Sequence, residues 1–424
     1  MKKVLILFSL IFLIILAFGI ARESIGTDLP MPNLALCYAN MNRDDPNSLN
    51  NHPEAKYNLV ILNFSTMQYA ENFETSLQWF ITNAKILKQR RSDLKLFIYL
   101  TINTIEGKYY PALYDWFATI YDSSLVFSDD MYLLDNDERI VFDPSYPTIY
   151  LLDIRKEIVR KYICNVACGV IQKLNFEFND LNIKINLFYD MLEEESRAKN
   201  IISNNDWIYY SKEILNLITS KIPTDTMVLA NAGKNYSVDC LYLPYLHGFM
   251  LENFLGSDPA FFDKANPDYR FGASLSEGIS SITQTRLSCK SPRIIILNTD
   301  EQLWSLSEEG RYLSYALSRM YEEVYHSHDN GKVHGSPDWS LLYEANLGIP
   351  LGAVLNTSYN NQLRNFSLGS VLVTNSSSEM AIFKMNHTDL FSKATAKQFE
   401  IAISRGRIFK KVINFNPAYL QLME

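Results

Sequence analysis

Short apolar runs alternate with amphipathic segments along most of the chain. Eight of these runs are shorter than a typical helix and rich in aliphatic and aromatic residues, which indicates strands buried on both faces of a parallel sheet. The eight runs are Leu34–Ala39, Tyr57–Phe64, Leu94–Thr101, Ile183–Asp190, Thr226–Gly233, Leu246–Phe254, Arg293–Asp300 and Glu323–His328. Segments with apolar residues at helical spacing lie between several of them, for example near residues 73–89 and 206–220. This alternation predicts parallel βαβ units and, with eight strands, a (β/α)8 barrel of the TIM type over residues 30–346.

Two regions fall outside this pattern. Residues from about 106 to 146 lack a clear period and are rich in Tyr, Phe, Asp and Pro. A stretch of that length is usually functional or a small insertion, and its aromatic residues could either stack on sugar rings or pack the segment on the barrel. Residues 347–424 contain short strand-like runs and turns, which predict a small β-rich appendage packed on the barrel.

Two of the predicted strands end on an acidic residue, namely Asp190 and Glu252. The carboxyl ends of the strands in a parallel barrel lie at one end of it, where active sites of such barrels are found. A pair of carboxyl groups is the minimal equipment of a glycoside hydrolase, since one protonates the leaving oxygen and the other attacks the anomeric carbon or activates water. We predict Glu252 as the general acid, because the apolar residues before it favour its protonated form, and Asp190 as the nucleophile or base.

Further polar residues lie at predicted strand ends or beside the acids. We predict substrate-binding roles for Tyr99, Asn231, Asn253, Asp300 and His328, each with a structural alternative such as capping a helix or pairing within a loop. Glu193, in a run of three glutamates that is typical of a solvated helix start, is the reserve catalytic acid.

Composition narrows the choice of ligand. Of the 424 residues, 47% are hydrophobic and 20% are charged, which suits a globular protein with a sizeable core. The net charge of −8, without a basic run, disfavours nucleic acid and fits a neutral or cationic polymer. No Ser-His-Asp order, phosphate-binding loop or metal-ligand spacing competes with the carboxylate pair, so no cofactor or metal is predicted.

The amino terminus predicts export. Met1-Lys2-Lys3 precedes an apolar run from Val4 to Phe18, and Gly19-Ile20-Ala21 supplies small residues at a cleavage site after Ala21. The predicted signal peptide therefore covers residues 1–21, and the protein is expected to be secreted or held in the cell envelope. The alternative is an uncleaved membrane anchor, because the run is nearly long enough to span a bilayer.

The chain resembles a family of hypothetical glycoside hydrolases, the fifteenth of the glycoside hydrolase-like series, and more distantly the barrels of the α-galactosaminidase type. Besides the two acid-terminated strands, the resemblance is carried by Tyr150–Asp153, Leu229–Gly233, Trp339, Leu347–Gly352 and Arg364–Asn375. It implies a secreted TIM-barrel hydrolase of sugars without supplying the substrate. Related strands often begin with Asp-Gly, whereas this chain has Ile185-Asn186 and His247-Gly248, a departure expected to affect packing more than chemistry.

The sequence therefore predicts a glycoside hydrolase acting on a poly- or oligosaccharide. One alternative is a carbohydrate-binding barrel that has lost turnover. A second, weaker one is a hydrolase of another bond, such as an amide of an amino sugar.

Overall fold

The fold was described from a computed structural model of the chain. The structure describes residues 33–39, 56–63, 73–101, 104–106, 110–143, 146–179, 183–190, 201–231, 241–252, 254–255, 275–300, 308–329, 339–357, 361–374, 379–402 and 405–412. The predicted signal peptide lies outside these residues. In the described part of the chain, no helix combines the length and the apolar character needed to cross a membrane.

Eight strands form a parallel sheet in chain order, which confirms the predicted barrel. They are β1 (Ala35–Ala39), β2 (Leu59–Asn63), β3 (Lys95–Leu100), β4 (Ile185–Tyr189), β5 (Val228–Asn231), β6 (Gly248–Leu251), β7 (Ile294–Asp300) and β8 (Val324–Asp329). The sheet returns on itself through a parallel bridge between Leu34 and His326, where the His326 amide donates to the Asn33 carbonyl at 2.9 Å. All eight strands lie within the runs predicted from apolar periodicity or differ from them by one residue.

Helices lie between consecutive barrel strands wherever the structure describes enough of the connection. They are α1 (Phe73–Arg90), α2 (Tyr110–Tyr121), α3 (Glu157–Phe178), α4 (Asn204–Lys221), α5 (Leu275–Ser288) and α6 (Glu308–Met320). Helix α4 shows how local sequence sets a boundary, because the Ser203 hydroxyl accepts from the Asp206 amide at 3.2 Å and caps the first turn. Pro223 follows its last turn and cannot continue it.

The barrel interior is filled by side chains that alternate along the strands. This apolar cluster comprises Ala35, Cys37, Leu59, Ile61, Phe97, Phe188, Leu229, Met250, Ile294, Ile296 and Tyr325, with Tyr99 and Met227 packed against it. Residues next to these in sequence point to the helix layer, because successive side chains of a strand face opposite sides. In the helix layer, Cys164 and Cys168 of α3 are buried with their sulfur atoms 3.9 Å apart.

The region from about 106 to 146 proves to be a small folded insertion between β3 and β4. It contains α2, a three-stranded antiparallel sheet of Thr104–Glu106, Val141–Asp143 and Tyr146–Leu151, and a hairpin that pairs Leu134–Asp135 with Glu138–Arg139. The two residues that turn the hairpin, Asn136 and Asp137, both have positive φ, which Asn and Asp tolerate better than most residues.

The carboxyl-terminal region forms an antiparallel sheet, as predicted. Its six strands are β9 (Leu355–Asn356), β10 (Gln362–Phe366), β11 (Gly369–Thr374), β12 (Glu379–Asp389), β13 (Thr395–Ile401) and β14 (Arg405–Lys411), in the spatial order β9-β10-β11-β14-β12-β13. Leu372, Ala381, Ile401 and Phe409 form its own buried cluster. The described residues divide into two compact units, one within residues 33–339 with 405–406 and the other within residues 340–402 and 407–412. The domain limits at residues 30, 346 and 347 stay predictions, as does the packing of the appendage on the barrel.

The departures at the starts of β4 and β6 act in packing. The Asn186 side chain donates to the Leu96 carbonyl at 3.0 Å and accepts from the Met227 amide at 2.9 Å, so that it joins β3, β4 and β5. The His247 ring nitrogen Nδ1 accepts from the Val228 amide at 3.0 Å, and burial lowers the pKa of this imidazole. Gly248 has a φ of +150°, and a Cβ there would lie 1.6 Å from the Ile294 carbonyl oxygen. Only glycine fits this position between β6 and β7.

We predict that Gly248→Ala destabilises the barrel by about 2 kcal/mol or more, because it adds a backbone clash to an unfavourable φ. Gly352→Ala is the matched control, since Gly352 has a φ of +151° with no atom within 4 Å of its Cβ position. Denaturant unfolding of both variants separates the clash from the backbone strain. An equal loss in both variants would show that the approach of β7 is unimportant.

Candidate functional site

The two predicted catalytic acids lie at the same end of the barrel. Asp190 directly follows β4, and Glu252 directly follows β6, with only β5 between them. Asp190 is two residues beyond Phe188 and Glu252 two residues beyond Met250, and both of these apolar residues belong to the interior cluster. The two-residue period of a strand therefore turns both acids toward the barrel interior.

Asp190 is held by its neighbour β3. Its backbone amide donates to the Leu100 carbonyl at 2.9 Å, and the Tyr99 hydroxyl donates to its carboxylate oxygen Oδ2. Asp190 is buried, with 7% of its surface exposed. Burial of a polar group is costly unless hydrogen bonds compensate it, so the Tyr99 contact offsets part of the cost of burying Asp190.

Glu252 is held by β5. The Asn231 side-chain amide donates to the Glu252 carboxylate oxygen Oε2 at 2.9 Å. Asn231 follows Ala230, which pairs with Tyr189 on β4, and Asn231 itself pairs with Met250 on β6. It therefore lies between the two acids in the register of the sheet. Glu252 is partly exposed whereas Asn231 is buried, so the acid reaches further toward solvent.

Asn298 is a further candidate residue at this end of the barrel, and it was not predicted from the sequence. It lies two residues beyond Ile296 on the interior face of β7. Since Leu297 pairs with Leu251 on β6, the next residues along the two strands, Asn298 and Glu252, lie at the same height along the barrel. The residue is 2% exposed, and its side-chain oxygen Oδ1 has no hydrogen-bond partner within the described part of the chain. A buried acceptor in that state is available to a ligand hydroxyl. The sequence feature that could have identified Asn298 is the row Ile294, Ile296, Asn298. Every second residue of this strand is apolar until the row reaches a polar residue near the carboxyl end.

His328 belongs to the other face of β8. Its Nδ1 and the Thr299 hydroxyl are 3.0 Å apart, and its ring is parallel to that of His326 with centroids 6.4 Å apart. The His326 Nδ1 lies 2.9 Å from the Ser314 hydroxyl of α6, and burial holds the pKa of His326 well below its usual value. Tyr325 of this strand faces the barrel interior, and His328, three residues later, faces the opposite side. His328 therefore lies against the helix layer and away from the two acids.

Three further predictions have no described side chain. Asn253 and Glu193 lie outside the described residues, and so does the side chain of Asp300. The backbone of Asp300 is the last residue of β7 and pairs with Asp329 at the end of β8. The roles of these residues stay predictions.

The aromatic residues of the insertion pack mainly on one another. The Arg139 guanidinium lies over the Tyr132 ring at 4.1 Å, and the Tyr132 and Tyr150 rings meet edge to face at 5.5 Å. The neighbouring motif residue Asp153 forms a bidentate ion pair with Arg155, with contacts of 2.8 and 2.9 Å. These contacts favour the packing alternative for this region over a sugar-stacking surface.

Among the described residues, no group of three or more His, Cys, Asp or Glu side chains is arranged to hold a metal ion. The described groups at this end of the barrel include two carboxyl groups, one phenol and the side-chain amides of Asn231 and Asn298.

Comparisons with solved structures agree with the fold. The chain is similar to an α-amylase from Lactobacillus plantarum (TM-score 0.50, 8% identity, covering 90% of this chain and 99% of that one). It is also similar to Eubacterium rectale Amy13B (TM-score 0.50, 10% identity, covering 90% and 97%). A more distant likeness is to the glycoside hydrolase domain of PelA from Pseudomonas aeruginosa (TM-score 0.41, 12% identity, covering 71% and 96%). No protein-family model and no curated protein matches the chain. At these identities the likeness to the first two structures shows the barrel fold alone.

The two interior asparagines are expected to differ in how much they contribute to the stability of the barrel. We predict that Asn186→Ala lowers the free energy of unfolding by about 1–3 kcal/mol, because it removes two hydrogen bonds to backbone groups. Asn298→Ala should stay within about 0.5 kcal/mol of the wild type, since no hydrogen bond of Oδ1 within the described part is lost. Urea unfolding at one pH measures both. An equal loss for the two variants would assign Asn298 a structural role.

Proposed function

We propose that this protein is a glycoside hydrolase that cleaves a poly- or oligosaccharide, with Glu252 as general acid and Asp190 as nucleophile or base. The observation that carries the proposal is the pair of interior-facing carboxyl groups at the ends of β4 and β6, each with a hydrogen-bond donor on an adjacent strand. The likeness in fold to glycoside hydrolases supports it.

The two acids occupy different environments, as this chemistry requires. Glu252 is partly exposed, so its carboxyl group can reach the bridging oxygen of a bound chain and protonate the leaving sugar. Asp190 is buried, and the Tyr99 phenol donates to one of its oxygens. This environment suits an anion that attacks the anomeric carbon or draws a proton from water. The buried Asn298 amide beside Glu252 is placed to accept a hydrogen bond from a sugar hydroxyl.

The separation of the reacting carboxyl oxygens in the complex decides the stereochemistry. A separation of about 5 Å gives retention through a covalent intermediate, and one of about 6.5–9.5 Å leaves room for water and gives inversion. The acids stand on strands separated by one strand, so either outcome is compatible with the backbone. NMR of the first product anomer, taken before mutarotation, tells them apart.

We predict that Glu252→Gln and Asp190→Asn each reduce hydrolysis by at least about 10²-fold while folding and sugar binding persist. An amide keeps the shape of the side chain but neither donates a proton at neutral pH nor attacks as an anion. The measurement is product release from a polysaccharide panel by the purified chain from Arg22 to Glu424.

Two carboxylates at the opposite end of the barrel give matched controls. Asp225 pairs with Lys184 ahead of β5, and Glu323, the residue just before β8, pairs with Arg286. Asp225→Asn and Glu323→Gln should retain wild-type rates. Wild-type turnover in Glu252→Gln or Asp190→Asn would remove that residue from the mechanism, and binding without turnover by the unmodified chain would favour the binding-only alternative.

We also propose that the protein is exported, on the pattern of residues 1–21 alone. Mass spectrometry of the protein from its own host is expected to find an amino terminus near Arg22. An intact Met1 on membrane-bound material would support the uncleaved anchor.

A further inference from the structure

Tyr99 and Asp190 form a contact whose two ends are both fixed by the sheet. Tyr99 pairs in register with Phe188 on β4, and their rings stack with centroids 5.8 Å apart and an interplanar angle of 26°. Asp190 follows two residues later on the same interior face, anchored by its amide to the Leu100 carbonyl. The phenol is therefore held at the carboxylate by packing, independently of any ligand.

The direction of the hydrogen bond gives the contact a chemical consequence. The Tyr99 hydroxyl donates to Asp190 Oδ2. A donor stabilises the carboxylate more than the neutral carboxylic acid, and the difference is large for a buried group. By the register of the sheet, β3 places the Tyr99 phenol and β5 places the neutral Asn231 next to the strand of this acid, and β6, the following strand, places Glu252 at the same end.

We propose that Tyr99 is a positioning residue, whose phenol holds Asp190 ionised and in one orientation, so that Asp190 serves as the nucleophile or base of the site. This differs from the substrate-binding role predicted for Tyr99 from sequence. The catalytic part of the inference rests on the proposed function, whereas the ionisation of Asp190 is testable without a substrate.

The substrate-free test compares the thermal stability of the wild type and of Tyr99→Phe between about pH 7 and pH 4. Because the lost donor favours the carboxylate, the variant should be less stable at pH 7, and the difference in Tm should shrink as the pH falls and Asp190 takes up a proton. In an Asp190→Asn background, Tyr99→Phe should produce no pH-dependent difference.

Tyr114→Phe is the matched control. The Tyr114 hydroxyl is also buried, and it donates to the Thr101 carbonyl at 3.0 Å just beyond β3. Its removal should lower the Tm by the same amount throughout this pH range, since a backbone carbonyl does not titrate. A pH-independent difference for Tyr99→Phe as well would overturn the inference.

The second measurement uses the polysaccharide that the wild type hydrolyses in the panel. Tyr99→Phe should lower kcat about tenfold or more, leave KM within about twofold, and move the acidic limb of the kcat profile to higher pH. A raised KM with an unchanged pH profile would make Tyr99 a substrate contact and overturn the inference. If the wild type hydrolyses no member of the panel, the proposed function fails, while the stability series still decides whether Tyr99 holds Asp190 ionised.

Discussion

The two-residue period of the barrel strands decides which side chains of this protein can meet. Every second residue faces the interior, and the same rows that build the apolar cluster continue into polar groups at the carboxyl ends. Phe188 is followed on its face by Asp190, Leu229 by Asn231, and Ile296 by Asn298. The packing that stabilises the barrel therefore also aims the candidate site, and a shift by one residue would turn each polar group toward the helices.

The barrel strands were predictable because each is a compact apolar run that must be buried on both faces. Other elements were not. Helix α5 contains six Ser and Thr residues, which obscure its helical apolar spacing, and the insertion strands are only two to six residues long. A pattern needs several periods before it can be recognised, so these elements became visible only through their tertiary contacts.

The candidate site was predictable in part, for a similar reason. Acids at the ends of apolar runs mark the carboxyl end of a barrel, but the face of a side chain depends on where the strand begins. His328 sits at such an end and yet shares its face with His326, which contacts α6. The donors to the two acids come from other strands, and sequence periodicity does not fix the register between strands. The pairing of Tyr99 with Asp190 and of Asn231 with Glu252 therefore required the structure.

Asn186 and Asn298 show how one residue type serves the two ends of the barrel differently. Asn186 lies at the amino ends of the strands, and its side-chain amide forms hydrogen bonds with backbone groups on both sides of β4. Asn298 lies where strands leave, and its buried oxygen Oδ1 makes no such bond within the described residues. A buried acceptor left open costs stability, and proteins accept that cost mainly where a ligand will supply the donor. The same contrast applies to the acids, because Asp190 is buried and bound by a phenol, whereas Glu252 is partly exposed and bound by an amide. In the proposed mechanism, the partly exposed Glu252 is therefore the acid that meets the leaving oxygen, and the Tyr99 phenol is already in place at Asp190 before any sugar binds.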